Sequence, residues 1–190
     1  MKTLVIVDYQ FDFYDPAGTL HVEHGEDFAE RIAAIMPQYD NIVFTLDWHP
    51  VGHCSFKENG GLWPEHCVQY TPGAGIHPLL VKTAVEEGKN ITIYRKGFAV
   101  DFEEYGAFVE LVDPTQERFT TGTAPREYFD ASEQIDVCGL AAGYCVDQTV
   151  LNLLAAGYGP KVAIIADCTG KLCTEEDFQS FITEHAIRLV

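Results

Sequence analysis

A chain of 190 residues with 47% hydrophobic content can bury one large core, which excludes a disordered segment. Its 29 acidic side chains against 12 basic ones give a formal net charge of -17, which argues against nucleic acid and anionic membrane surfaces as partners. Six cysteines, at 54, 67, 138, 145, 168 and 173, show neither zinc-ribbon spacing nor a dense disulfide framework, so a reduced, cytoplasmic protein is expected.

Residues 4–7 form a nearly unbroken apolar run ended by Asp8, as in a central parallel strand, and the run is too short for a signal peptide or membrane span. Residues 9–18 are aromatic and turn-rich. Residues 25–36, with Phe28, Ile32, Ala33 and Ile35, predict a crossover helix. A second strand over 41–46 ends in Asp47-Trp48-His49-Pro50. From 51 to about 75 the chain is irregular and rich in Gly, Pro, His and aromatics, a length that usually serves function in a compact domain. A helix over 79–87 and a third strand over 91–94 follow, the latter ending in Arg95-Lys96-Gly97. Residues 101–112 predict a helix, and 113–132 an irregular connection with a short helix at 126–129.

Ile135 and Val137 open a fourth, buried strand, and Gly139, Ala141, Ala142 and Gly143 let the backbone turn sharply. From Cys145 onward, Val146, Val150, Leu151, Leu153 and Leu154 have helical spacing. A fifth strand over 162–166 ends at Asp167-Cys168. Thr174 caps a last helix reaching about 185, and 187–190 predict a short edge strand. This alternation predicts an α/β fold: a doubly wound, Rossmann-like, mostly parallel sheet of five or six strands with helices on both faces, in a single domain over 1–190.

In such folds ligands bind beyond the carboxyl ends of the strands, near the topological switch point. Those ends carry Asp8, Asp47 with His49, Lys96 and Cys145: an acid, a metal-capable pair, a base and a thiol. Each alone has a plain structural use, as a helix cap, an Asx-turn, a solvated charge or a small apolar side chain. Together they read as a cysteine hydrolase with a metal beside it. Cys145 stands where a strand hands over to a helix N-terminus, whose unpaired N–H groups and dipole favour a thiolate nucleophile.

The stretch Ile6-Val7-Asp8-Tyr9-Gln10-Phe11-Asp12-Phe13, Asp47-Trp48-His49-Pro50 with Ser55-Phe56, Trp63-Pro64-Glu65-His66-Cys67, Tyr94-Arg95-Lys96-Gly97 and Gly139-Leu140-Ala141-Ala142-Gly143-Tyr144-Cys145-Val146 resemble, in order, motifs of the nicotinamidases (pyrazinamidases). These belong to the isochorismatase-like cysteine hydrolase superfamily, and the resemblance runs from residue 4 to about 168. It implies deamidation of nicotinamide, and of pyrazinamide, to the acid and ammonia through a cysteine thioester, in NAD salvage. It implies a triad of Asp8, Lys96 and Cys145, with Asp8 taking the thiol proton and Lys96 holding both. It also implies an oxyanion hole from the backbone N–H groups of Ala141 and Cys145, with a cis Leu140–Ala141 peptide.

Asp47 and His49, two apart on extended chain, face the same way and can chelate one divalent ion, with His66 completing a three-ligand site. By the resemblance this ion orients the pyridine ring; His53 stands as a candidate fourth ligand. Zinc is the first choice of metal, with iron and manganese open. Phe13, Trp63 and Phe98 are candidates to line an apolar slot for the ring. His21, His24, His77 and His185 are expected at the surface, and Cys54, Cys67, Cys168 and Cys173 as structural thiols. One departure is Ala142-Gly143, where many of these enzymes carry Thr-Asp. The alternatives are a related hydrolase of another small amide or N-carbamoyl compound, and an inactive small-ligand-binding module. A homo-oligomer is left open.

Overall fold

The first strand sets the frame because both of its faces are apolar. The computed structural model describes residues 1–115 and 123–190. In β1 (Lys2–Val7), Leu4 and Ile6 point to one side of the sheet, while Val5 and Val7 point to the other. Alternate residues face opposite sides of a sheet, so such a strand must be covered twice. A one-turn helix, α1 (Phe11–Tyr14), interrupts the predicted loop at 9–18. The crossover helix α2 (Ala29–Ile35) is entered and left through 3-10 turns, the second containing Pro37, so it is shorter than the 25–36 pattern suggests.

Next come β2 (Asn41–Asp47), α3 (Pro78–Glu86), β3 (Asn90–Lys96), α4 (Arg126–Ala131), β4 (Gln134–Ala142), α5 (Cys145–Leu153), β5 (Val162–Lys171), α6 (Glu175–Glu184) and β6 (Arg188–Leu189). The six strands are all parallel, in the order β3-β2-β1-β4-β5-β6. Ile32 and Met36 of the α2 region and Leu80 and Ala84 of α3 cover one face. Val146, Val150 and Leu153 of α5 with Phe178 and Ile182 of α6 cover the other. The chain winds outward in opposite directions from β1 and β4, so the switch point lies between their carboxyl ends.

Three expectations differ from what forms. The helix expected over 101–112 is absent apart from a 3-10 turn at Val109–Leu111. Phe108 takes a left-handed backbone (φ 67°), and a Cβ on Gly106 would lie 2.7 Å from the backbone of Gln148, so tertiary contact overrides the local periodicity. β4 does not turn at Gly139 but runs on to Ala142 through two register shifts against β5. Gly139, at φ 116°, is required there, because a Cβ would sit 2.2 Å from the Val7 carbonyl of the neighbouring strand. β5 likewise extends past the predicted 162–166 to pair with that continuation. Within the expected irregular connection at 113–132, residues 116–122 lie outside the described residues.

The last helix starts on a reciprocal cap. The Thr174 hydroxyl accepts the Asp177 N–H at 3.1 Å, and the Asp177 carboxylate accepts the Thr174 N–H at 3.3 Å. Thr174→Ala is expected to lower stability to denaturant by about 1 kcal/mol with no change in activity, and equilibrium unfolding checks this. Among the described residues no helix is long and apolar enough to cross a membrane.

Candidate active site

Strand register brings the polar strand ends together. In the β2–β3 ladder Asp47 pairs with Lys96, and Asp8 follows β1 beside Thr45 of β2. The Asp8 backbone is left-handed (φ 44°); its N–H is donated to the Thr45 carbonyl at 3.1 Å, and the Thr45 hydroxyl is donated to its carboxylate at 2.7 Å. Lys96 is wholly buried. Its ammonium stands 2.8 Å from Asp8 Oδ2, donates to Asp47 Oδ1, reaches the Glu104 carbonyl at 3.4 Å and lies 3.7 Å from Cys145 Sγ. Ligand atoms of Asp8, Asp47 and Cys145 all lie within 4.8 Å of one another. The three residues proposed as a triad therefore form one buried cluster, in which Lys96 also grips Asp47.

Burial dominates the proton affinities. It raises Asp8 above the ordinary carboxylate range, although the Lys96 ammonium opposes it. It pushes the Cys145 thiol well up, outweighing Lys96, and so opposes the thiolate that a helix N-terminus favours. Burial would discharge Lys96, but Asp47 and Asp8 override it and hold the ammonium well above the usual lysine range. A neutral thiol beside a carboxylate calls for proton transfer that accompanies nucleophilic attack rather than precedes it. Cys145 opens α5 and Ala141 lies at the end of β4, so the two N–H groups expected as an oxyanion hole flank the Gly143-Tyr144 turn; the Leu140–Ala141 peptide is cis.

Asp47 also faces two imidazoles. His49 Nε2 and His66 Nε2 lie 3.6 and 3.7 Å from Asp47 Oδ2, beyond hydrogen-bond length. The Nδ1–H groups donate to the Gly97 and Pro64 carbonyls, each at 2.8 Å, which turns the Nε2 lone pairs toward the carboxylate. His49 Nε2 is buried without a hydrogen-bond partner. An inward-facing lone pair left unpaired beside a carboxylate fits a cation, and Asp47, His49 and His66 form a possible metal-binding site. His53, the candidate fourth ligand, is used otherwise. Its Nδ1 is occupied by Ser55 at 2.7 Å and its Nε2 by the Phe102 carbonyl at 3.0 Å, while its ring stacks on His49 at 4.1 Å. Burial lowers its pKa to about 4, as befits a neutral buttress.

A cleft opens over Cys145 and His66. Phe13 and Trp63 line it as expected; Phe98 does not, being half-buried elsewhere. The sequence reading missed Tyr105, Tyr144 and Glu103 on its wall. The Trp63 indole N–H donates to the Tyr105 hydroxyl at 3.1 Å, and both rings meet Tyr144, at 5.0 and 5.6 Å. Tyr105 and Glu103 were hidden by the helix expected over 101–112; the Tyr105-Gly106 pair was the signal that this pattern breaks. His77 is not a free surface residue: its ring caps α3 by accepting the Leu79 N–H at 3.3 Å and packs edgewise on Tyr14. His21 pairs with Glu26 at 2.9 Å. All six cysteines are unpaired.

The sequence and the fold have counterparts in known proteins. The nicotinamidase of Saccharomyces cerevisiae is 30% identical over 214 residues, covering 97% of this chain and 94% of the yeast protein. A crystal structure of a Leishmania infantum relative in complex with nicotinate superposes with TM-score 0.80 at 29% identity, covering 100% of this chain and 92% of that one. The pyrazinamidase of Pyrococcus horikoshii in complex with zinc gives TM-score 0.76 at 29% identity, covering 100% of this chain and 98% of that one. The family model described as the isochorismatase domain matches residues 2–185, from the first strand to the end of the last helix, and the chain belongs to the isochorismatase family.

Proposed function

We infer that this protein is a nicotinamidase that also takes pyrazinamide, hydrolysing a ring carboxamide to the carboxylate and ammonia in NAD salvage, with residues 1–190 working as one domain. One observation carries the reading. The Lys96 ammonium bridges Asp8, beside the thiol, to Asp47, beside the two imidazoles, at the floor of an aromatic cleft. Cleavage and ring-anchoring groups thus share one ion-pair network.

In this reading the carboxamide lies with its carbon over Cys145 Sγ and its ring between Phe13, Trp63, Tyr105 and Tyr144. The sulfur attacks the carbon while its proton passes to Asp8. The developing oxyanion meets the N–H groups of Ala141 and Cys145. Collapse breaks the C–N bond; Asp8 returns the proton to the departing nitrogen and ammonia leaves a thioester on Cys145. Asp8 then takes a proton from water, whose hydroxide attacks the thioester carbon. The C–S bond breaks, the acid is released and Cys145 recovers its proton from Asp8. Lys96 stays charged throughout and favours the carboxylate form of Asp8 before it takes the proton of Cys145 and, later, of water. A divalent ion held by Asp47, His49 and His66, zinc by our reading, supplies an electrophilic contact for a ring nitrogen. Six unpaired thiols suit a reducing, cytoplasmic setting.

Benzamide tests the ring-nitrogen contact, because it keeps the carboxamide and the ring size and lacks the nitrogen. Metal-loaded protein is expected to favour nicotinamide over benzamide by at least about 100-fold in kcat/KM. Equal values would overturn ring anchoring and leave a general small-amide hydrolase.

A further inference from the structure

The candidate ligands Asp47 and His66 stand on separate segments that meet directly beyond Asp47, where the His49 N–H donates to the Cys67 carbonyl at 3.1 Å and the Gln69 N–H to the His49 carbonyl at 2.9 Å. A second set of anchors, to Asp47 itself and to the neighbour of His66, comes from neither segment. The Gln10 side chain is wholly buried and bonds to both polar groups of the Asp47 backbone. It accepts the Asp47 N–H and donates to the Asp47 carbonyl, each at 2.8 Å, closing a ring in the manner of an adjacent strand. Its amide also donates to the Ala74 carbonyl at 3.1 Å. Two residues on, the buried Asp12 carboxylate accepts the N–H of Cys67, the neighbour of His66, at 2.7 Å and the Thr19 N–H at 3.3 Å. Cys67 itself is left-handed (φ 46°), a backbone that needs such support. Gly73 is required where the carboxylate passes, since a Cβ there would lie 2.1 Å from Asp12 Oδ2.

We propose that Gln10 and Asp12 are positioning residues. Together they form a jig, Gln10 at the cap of the single turn α1 and Asp12 within it, that braces the bridged segments and so tunes the Asp47–His66 separation and the affinity of the ion. The proposal rests on the metal reading of Asp47, His49 and His66. Backbone bonds to a ligand's own residue and to its neighbour orient the ligand as side-chain partners of a metal site do. Gln10 does this for the strand end and Asp12 for the long loop. α1 is itself pinned by the Phe11 N–H to the Gly75 carbonyl at 2.9 Å, so the two anchors move as one piece.

The test is zinc affinity of the full-length protein, stripped by chelation and titrated against a chromophoric competitor, with cobalt(II) spectra as a second readout. Gln10→Glu keeps the acceptor for the Asp47 N–H and turns an oxygen onto two carbonyls. Asp12→Asn satisfies one of two N–H groups and opposes the other, and Asp12→Ala satisfies neither. Each is expected to weaken zinc by about 10–100-fold and to alter the cobalt d–d bands, with Asn partly rescuing Ala. Thermal melting of the stripped proteins separates this from loss of fold, and the nearly isosteric Asp12→Asn carries the test if Gln10→Glu does not fold. Folded variants with unchanged zinc affinity and cobalt spectrum would overturn the jig alone. A wild-type protein that binds no zinc would overturn the metal reading and the jig with it.

Discussion

Cys145→Ala is expected to slow ammonia release from nicotinamide by about 10⁵–10⁶-fold, while zinc binding and the thermal transition stay close to wild type. The side chain is small and lies at the cleft floor, 8% exposed, so truncation removes the reacting atom and little packing. Burial pushes the thiol well up against the pull of Lys96, so the sequence relies on Asp8 taking its proton during attack. Mass spectrometry of acid-quenched wild-type protein supplies the positive counterpart: a nicotinoyl adduct on Cys145 that is absent from the variant. Turnover surviving in Cys145→Ala would remove the covalent route.

Lys96→Met is expected to abolish activity and, unlike the first change, to cost the metal-free protein about 3–5 kcal/mol of stability. Methionine keeps the length of the stem but removes the charge that compensates Asp8 and Asp47, both almost wholly buried. Two carboxylates within 4.8 Å then face each other with no cation between them. Zinc added to the variant restores part of the stability, because it compensates Asp47. Denaturant unfolding with and without zinc measures both effects. A metal-free variant as stable as wild type would show that Lys96 is no electrostatic keystone.

These effects explain what could be read before the fold was known. Strands with both faces buried announce themselves as apolar runs, and the polar residue that ends each run, as Asp8 does, marks the ligand-binding edge. Strand order is not written in the runs. That Lys96 would lie beside Asp47 follows from the parallel register of β2 and β3, so the double role of Asp47, between lysine and imidazoles, could not be seen. The segment at 101–112 misled for a related reason. Its apolar spacing is compatible with a helix, but Gly106 packs on α5 and Glu110 accepts the Tyr94 hydroxyl at 2.7 Å, contacts that an isolated pattern does not encode. His53 had the chemistry of a ligand, and only the Ser55 hydroxyl and the Phe102 carbonyl on its two nitrogens show that it serves as a support.

The most direct measurement is ammonia release from nicotinamide by zinc-loaded protein, repeated after chelation and again after zinc is returned. Our reading predicts release, its loss on chelation, and its recovery with the metal, since Cys145 and the Asp47–His49–His66 site are joined through Lys96. Release unaffected by complete removal of metal would contradict the role given to that site. No release from the zinc-loaded protein would contradict the nicotinamidase reading itself.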